Sequence, residues 1–478
     1  MYVIMYIKMI NYITNAIQKS RDECMKIIIF GCGKIGRTII ESLVDEGHDI
    51  VAVDSNRSVV DEVTDIYDVM GLCGNGVDSD TMSEAGIDEA ELFVAVTGSD
   101  ELNMLACFLA KKMGAKYTLA RIRNPEYNDD SLGIMKHHLD LSVVLTPEKL
   151  VAKEIFNNLR YPSSVKVETF SNRTLEIVEL HIGESSPFAG STLSELRKNY
   201  TESFLVCCVL RDGNVFIPDG NCKLQVGDKI GLTASRTEII KLLRSIGLPS
   251  KQPKNVIIIG GGRISYYLSK MLISSGVNVK IIEMDKNICH ELAVALPEAT
   301  VIMGDGMKPE ILLEEGIATS DAFIALTGKD ETNILTSFFV AGQTMSTIIS
   351  KINRSDLASS AEKMGLECII SPQQTVSNVV SSYVRALQNS VGSNVETLYK
   401  IMDGKAEVLE FKVSGDFKYT SIPLKDMTLK NNILISGIIR GRKPIIPTGN
   451  DTILSGDRVI VLAAGHLLSN LEDIIDNR

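Results

Sequence analysis

The sequence predicts an α/β protein built from two doubly wound Rossmann-like domains, each followed by a small α+β domain, with the pair arising by tandem duplication. Three observations predict it. An apolar run breaks into a glycine-rich turn and then an amphipathic stretch at K-I-I-I-F-G-C-G-K-I-G, Lys26 to Gly36, and again at N-V-I-I-I-G-G-G-R-I-S, Asn255 to Ser265. Each reads as a buried strand feeding directly into a helix. The next apolar run of each copy ends on an acid, Asp54 or Glu283, which lies 23 residues after the first glycine of its turn. The intervening segments then recur at an offset near 230: C-G-N-G as M-G-D-G, A-V-T-G-S-D-E-L-N as A-L-T-G-K-D-E-T-N, T-P-E-K-L-V as S-P-Q-Q-T-V. A repeat of that length is a duplicated pair of domains.

The turns carry the chemistry. Backbone N–H groups at a helix N-terminus, together with the positive end of the helix dipole, favour an anion. In the first copy Gly31 permits the tight turn, Gly33 admits a pyrophosphate to the backbone and Gly36 lets helix and strand pack closely. Gly260 and Gly262 take the first two roles in the second copy, where Ser265 stands in the third. An acid at the end of the second strand binds ribose hydroxyls and selects against a 2′-phosphate, so NAD-like or adenosine nucleotides are expected over NADP. The bland alternative, a turn retained for packing without a ligand, weighs more in the second half because of Ser265.

From Lys26 onward, strand and helix alternate. Strands are expected at 27–30, 50–53, 69–72, the fully apolar L-F-V-A-V, 118–122 and 142–145; helices at 35–46, 58–67 and 101–113, with a polar helix after R-N-P-E-Y. A continuous apolar run suits a parallel strand covered on both faces. The ligand crevice then lies at the carboxyl ends of the strands. Loops at Gly31 to Ile35, Asp54, Asn75, Thr97, Gly98 and Arg121 should line it. Asn75 is placed to meet a base edge, Thr97 and Gly98 offer a hydroxyl and an open backbone, and Arg121 suits a phosphate or, equally, a surface ion pair.

A helix opened by Pro147 leaves this domain, with Leu150, Val151, Ile155 and Leu159 on one stripe. It is expected to cross to a neighbour and to serve dimerisation, or else to pack on its own domain. Between 165 and 248 the texture changes to short strands, with a hairpin at Gly213 and Asn214 and helices at 192–198 and 237–245. The boundaries expected are an extension over 1–24, a Rossmann-like domain over 25–147, a crossover helix over 148–164 and a small module over 165–248. After a linker holding Pro249 and Pro253, the pattern repeats over 254–371, 372–394 and 395–478.

Composition narrows the function. Length alone suggests about three domains. A net charge of −11, without a basic run, argues against a nucleic-acid partner. Nine cysteines, odd in number and lacking a C-x-x-C pair, fit a reducing cytoplasm and no disulfide framework; with six scattered histidines, no metal site is expected. The first 24 residues are apolar but interrupted by Lys8 and Asn11, too short to span a bilayer, and read as an extension before Met25 or an interfacial helix. No catalytic constellation stands out. An NAD-dependent oxidoreductase is the competing class, but the small modules lack grouped histidine, lysine or carboxylate side chains to set a substrate against a nicotinamide. Cys32 in the glycine turn would be redox-sensitive if the helix N-terminus lowered its pKa, and is otherwise a packing residue.

From Met25 onward the order of domains, with G-C-G-K-I-G and Asp54, the two T-G-x-D-E-x-N loops, A-R-I-R-N-P-E-Y and the G-D turns of the small modules, resembles the TrkA family, cytoplasmic regulatory subunits of Trk potassium uptake systems whose domains are termed RCK. The resemblance implies a homo-oligomeric, tetrameric ring on the inner face of the cell membrane, docked on a potassium-translocating subunit and responding to NAD(H), and to ATP or ADP. A soluble nucleotide sensor with a non-membrane partner would share every one of these features except the partner. It also implies nucleotide contacts at Gly31, Cys32, Gly33, Lys34, Ile35, Gly36, Asp54, Asn75, Thr97, Gly98 and Arg121, and at Gly260, Gly261, Gly262, Arg263, Ile264, Glu283, Asp305, Thr327 and Gly328. This chain departs from the pattern in having Asn75 where an acid is common, Ser265 for glycine and Lys351 in the place of Arg121.

Overall fold

The computed structural model of the chain describes residues 24–476 apart from 128, 160–164, 171–174, 249–252, 344–346, 391–394, 403, 416, 467 and 469. The N-terminal extension, except Cys24, and the middle of the linker lie outside the described residues. Among the described residues, no helix is long and apolar enough to cross a membrane.

The first domain starts with β1 (Lys26–Phe30), whose Ile27, Ile28 and Ile29 are buried because helices cover both faces of the sheet. Helix α1 (Lys34–Asp45) buries Gly36, Ile39, Ile40 and Leu43, a stripe at helical spacing. Then come β2 (Asp49–Asp54), α2 (Arg57–Ile66), β3 (Met70–Cys73), α3 (Ser79–Glu84), β4 (Leu92–Ala95), α4 (Asp100–Met113), β5 (Tyr117–Arg121), α5 (Asp129–His138) and β6 (Val143–Leu145). The strands form one parallel sheet in the order β3-β2-β1-β4-β5-β6. The order reverses between β1 and β4, which opens a crevice above their carboxyl ends.

Helix α6 (Pro147–Asn158) leads into the first small module: β7 (Val165–Phe170), β8 (Leu175–His181), α7 (Leu193–Asn199), β9 (Phe204–Arg211), β10 (Asn214–Phe216), β11 (Lys229–Ala234) and α8 (Arg236–Ser245). Its antiparallel sheet runs β10-β9-β11-β8-β7, one strand more than the sequence reading expects. The hairpin turns at Asp212 and Gly213 rather than Gly213 and Asn214. Both turn residues have positive φ, 49° and 77°, the backbone a two-residue hairpin needs, and this frees Asn214 to begin β10.

The second half repeats the plan with β12 (Asn255–Ile259), α9 (Arg263–Ser274), β13 (Asn278–Glu283), α10 (Lys286–Ala295), β14 (Thr300–Met303), α11 (Pro309–Glu314), β15 (Ala322–Ala325), α12 (Asp330–Ala341), β16 (Thr347–Lys351), α13 (Ser355–Lys363), β17 (Ile369–Ile370) and α14 (Pro372–Ser390). Its parallel order, β14-β13-β12-β15-β16-β17, is that of the first sheet. The last module holds β18 (Val395–Ile401), β19 (Ala406–Lys412), β20 (Ile433–Arg440), β21 (Lys443–Ile445) and β22 (Arg458–Ala464) in the order β18-β19-β22-β20-β21. Single 3-10 turns at Leu424–Asp426 and Leu471–Ile474 stand where the first module has helices.

Two compact units result, and each takes in an exit helix from the other half of the sequence. The first gathers residues up to Pro147 with Gln373–Val384; the second gathers Glu148–Pro372 with Arg385–Arg478. In the first unit Ser381 shares a 2.9 Å hydrogen bond with Ser42 on α1. In the second, Val151, Ala152 and Ile155 of α6, with Leu159 just past its end, lie in one core with Val256, Ile258 and Leu268. The buried side chains of the α6 stripe are therefore covered by the second Rossmann domain.

Within the second unit, the small modules share a core of Leu175, Ile177, Cys207 and Cys208 with Ile401, Val408, Ile460 and Leu462. Each module also carries the same clasp. Arg211 at the end of β9 holds Asp228 through two 2.7 Å hydrogen bonds, and Arg440 holds Asp457 in the same way. The Asp228 carboxylate accepts in addition from the Gln225 N–H, which fixes the G-D turn.

Candidate functional site

Both crevices are built from the turn outward. Gly31 has φ 102° and Gly260 φ 92°, backbone that side chains rarely adopt, and a Cβ at either would press on the backbone that follows β4 or β15. Gly33 and Gly262 are the N-caps of α1 and α9, and neither makes a side-chain cap hydrogen bond. By contrast, Asn56, Asp78 and Ser99 cap α2, α3 and α4 with their side chains. The first N–H groups of α1 and α9 thus remain for an anion, and the space beside Gly33 and Gly262 is open. Lys34 and Arg263, the first helical residues, are exposed; Ile35 and Ile264 are half-buried.

The third position of each turn distinguishes the copies. A Cβ on Gly36 would run into the Gly31 carbonyl oxygen. Ser265 is accommodated at that place, fully buried, with its hydroxyl donating to the Gly260 carbonyl. Its side chain bonds to the counterpart of the oxygen that a Cβ on Gly36 would strike. The second position also differs: Cys32 is buried, while a Cβ on Gly261 would press on Leu292, Ile288 and Glu283. Burial, then the Asp54 carboxylate, push the Cys32 thiol up to about 12 against the smaller pull of Arg37. The idea of a low-pKa redox thiol at this helix N-terminus is therefore corrected; Cys32 is a packing residue whose Sγ donates to the Val53 carbonyl.

The acids close the turns. Asp54 accepts from the Cys32 N–H at 2.8 Å through one oxygen and from the Asn56 N–H at 2.9 Å through the other. Glu283 accepts from Gly261 at 2.5 Å through one oxygen and from both Met284 and Asp285 through the other. A carboxylate offers about four lone-pair positions. Asp54 keeps about two for a sugar diol and Glu283 about one. The residues fit a ribose in both crevices, with more acceptor capacity in the first.

Asn75 and Asp305 cap small turns by accepting from the N–H groups of Val77 and Met307. Asn75 is exposed and Asp305 half-buried at the carboxyl edges of β3 and β14. On the other side of the crevice, Thr97 and Thr327 are half-buried and Gly98 and Gly328 exposed, with open space beside both glycines. The Arg121 guanidinium donates to the Val96 and Thr97 carbonyl oxygens at 3.4 Å. Burial lowers the Lys351 ammonium from its ordinary value, against the opposing charge of Asp330.

Four residues that hold these loops together are not singled out by sequence reasoning. Asn103, fully buried, accepts from the Thr97 N–H and hydroxyl at 2.9 and 2.7 Å and donates to the carbonyls of Thr97 and Arg121. Asp100 accepts from the Arg123 and Asn124 N–H groups at 2.9 and 2.8 Å. Asn333 repeats the first set with Thr327 and Lys351, and Asp330 the second with Asn353 and Arg354. The signal was present in the recurring D-E-L-N and D-E-T-N, whose Asp and Asn lie three residues apart on one helical face.

Family models match the chain in the same duplicated order, the TrkA-N domain over residues 27–138 and 256–372 and the TrkA-C domain over 177–247 and 409–476. The chain belongs to the TrkA family. It is similar to a Trk system potassium uptake protein TrkA homolog from Archaeoglobus fulgidus, 31% identical over 94% of this chain and 100% of the relative. A Trk system potassium uptake protein TrkA from Vibrio alginolyticus is 29% identical over 91% of this chain and 95% of its own length. The fold is also that of the GsuK RCK domain, with TM-score 0.60 and 18% identity over 92% of this chain and 93% of that one. A GsuK channel bound to NAD has the same score at 17% identity, over 92% and 77%. Membership makes the chain a homologue of potassium uptake proteins with tandem RCK domains and places it outside the enzyme classes.

Proposed function

We propose that this chain is the nucleotide-responsive regulatory subunit of a potassium uptake system, acting on a membrane potassium-translocating partner from the inner face of the membrane as a homo-oligomeric ring. NAD(H), ATP or ADP would occupy the crevices. The observation that carries this reading is the uncapped helix N-terminus beside an open glycine, with an acid tied to the same turn, present twice in one chain. The structure of a GsuK channel bound to NAD supports the choice of ligand and the kind of partner.

Nucleotide contacts are assigned to the turns Gly31 to Gly36 and Gly260 to Ile264, to Asp54 and Glu283, and to Asn75, Asp305, Thr97, Gly98, Thr327, Gly328 and Arg121. The uncapped N–H groups receive the pyrophosphate and the acids the ribose. Asn103 and Asp100 tie the Thr97 loop to the segment after β5, so a ligand that presses on one displaces both. Nucleotides act by population shift: only a difference in affinity between crevice shapes can do work on a partner.

Calorimetric titration of the chain with NADH, NAD, ATP and ADP, repeated on Asp54→Ala and Glu283→Ala, tests the reading. Two sites, each lost with its own acid, are expected. Binding by none of the four nucleotides would leave the glycines as packing devices and the protein as a scaffold.

A further inference from the structure

The two crevices differ on the side away from the glycine turns. In the second, three methionines crowd the carboxyl ends of β13 and β14. Met284 follows Glu283, Met303 ends β14 as the register partner of Glu283, and Met307 sits in the turn that Asp305 closes. Register partners on adjacent parallel strands point to the same face of the sheet, so Met303 flanks the carboxylate. The three side chains are 73, 65 and 47% exposed, although methionine is ordinarily a core residue. The Met307 sulfur is steadied by the Thr332 hydroxyl at 3.4 Å. The corresponding positions of the first crevice, by strand register and by order along the turns, are Ser55, Cys73 and Val77. Cys73 is likewise the register partner of Asp54, so the backbone frame is shared and only the side chains differ.

We infer that Met284, Met303 and Met307 form a thioether platform that holds the flat base of a purine nucleotide in the second crevice and has no counterpart in the first. This rests on the reading that the second crevice takes a nucleotide. The direction follows from the ligand's own connectivity. With the pyrophosphate on the turn after β12 and the ribose on Glu283 at the end of β13, the base continues the line and lies over the edge of β14. Flexible, polarisable methionines suit an aromatic ring there, through favourable sulfur–aromatic contacts that make no demand on the base's hydrogen-bonding edge. The platform also offsets what the second crevice lacks, namely the third glycine and one acceptor position on its acid. The second site would hold its ligand by the base and the first more by the sugar.

Hydrogen peroxide footprinting of the full chain reads this residue by residue. Each thioether takes one oxygen from the peroxide and releases water, so the sulfur is oxidised and the peroxide reduced. Saturating ADP is expected to slow sulfoxide formation at Met284, Met303 and Met307 by at least fivefold, and ribose 5-phosphate to leave it unchanged. Met364, 68% exposed and outside the crevice, serves as the control. As a second measurement, the exchange Met284→Ser, Met303→Cys and Met307→Val, which installs the first crevice's side chains, should weaken ADP about tenfold or more at the second site with ribose 5-phosphate unaffected. If calorimetry finds two ADP sites while the three methionines oxidise at the ligand-free rate, the platform is refuted and the two-site reading stands. If the Glu283-dependent site is itself missing, both fall together.

Discussion

Replacing Asn103 with leucine isolates the buried amide that joins two loops of the first crevice. The side chain is fully buried and makes four hydrogen bonds, all to main-chain groups or the hydroxyl of Thr97 and Arg121. Leucine has a similar size and none of this capacity. The Thr97 hydroxyl retains the Ser99 carbonyl at 3.3 Å, and the Thr97 carbonyl retains the Arg121 guanidinium. The Thr97 N–H and the Arg121 carbonyl lose the Asn103 amide. Each lost bond to the buried amide costs about 1–3 kcal/mol, so the gross loss is about 2–6 kcal/mol. The added apolar burial offsets about 1–2 kcal/mol. A net destabilisation of about 1–4 kcal/mol is expected, measured by urea unfolding followed by far-ultraviolet circular dichroism, because the chain has no tryptophan. Calorimetry should show nucleotide affinity falling at least tenfold at the first site and unchanged at the second. Asn333→Leu should mirror this in the second crevice, since its bonds are the same to within about a tenth of an ångström. Stability within about 0.5 kcal/mol of wild type in both variants would refute the claim that these amides hold the loops.

Gly36→Ala should abolish nucleotide binding at the first crevice and lower stability by about 1–3 kcal/mol, because the methyl group meets the Gly31 carbonyl; Ser265→Ala at the equivalent place should leave the second domain folded with a loss of about 1 kcal/mol, both read by calorimetry. Ile155→Ala, which empties a position in the core of the second Rossmann domain, should cost about 2–5 kcal/mol in a denaturant series. Burial would raise the Asp228 carboxyl, but the Arg211 hydrogen bonds, the Gln225 N–H and the Arg211 charge outweigh it and hold the carboxyl below its ordinary value. The clasp's contribution is therefore present above the ordinary carboxylate range and lost as pH falls through the lowered pKa. Asp228→Asn should be less stable than wild type at pH 7, and the gap measured by thermal unfolding should close below about pH 4.

Much of this architecture was legible in the chain. The glycine turns, Asp54 and Glu283 could be placed because strand, turn, helix and acid succeed one another at spacings set by backbone geometry, and the duplication supplied a second reading of each. The β10 strand was not, because its three residues follow only from the positive φ of Asp212 and Gly213. The buried Asp100 and Asn103 escaped notice for a different reason. Their bonds run to main-chain groups of a strand and loop about 20 residues away, and a side chain's partner across a crossover leaves no periodic trace in the sequence. The partner of the α6 stripe was likewise hidden, since amphipathicity states that a face is covered and not by what.

The exchanged exit helices have a consequence for how such a chain can be cut or copied. A half-molecule ending in the linker would carry α6 with Val151, Ala152 and Ile155 exposed, and a Rossmann domain deprived of Val376, Val380 and Val384. Two copies of that half could satisfy one another only by meeting in solution. Joining them in one polypeptide turns that encounter into an intramolecular event at an effective concentration on the order of millimolar. Duplication thus frees the covering of each exit helix from dilution, and lets the two crevices diverge in sequence within one chain.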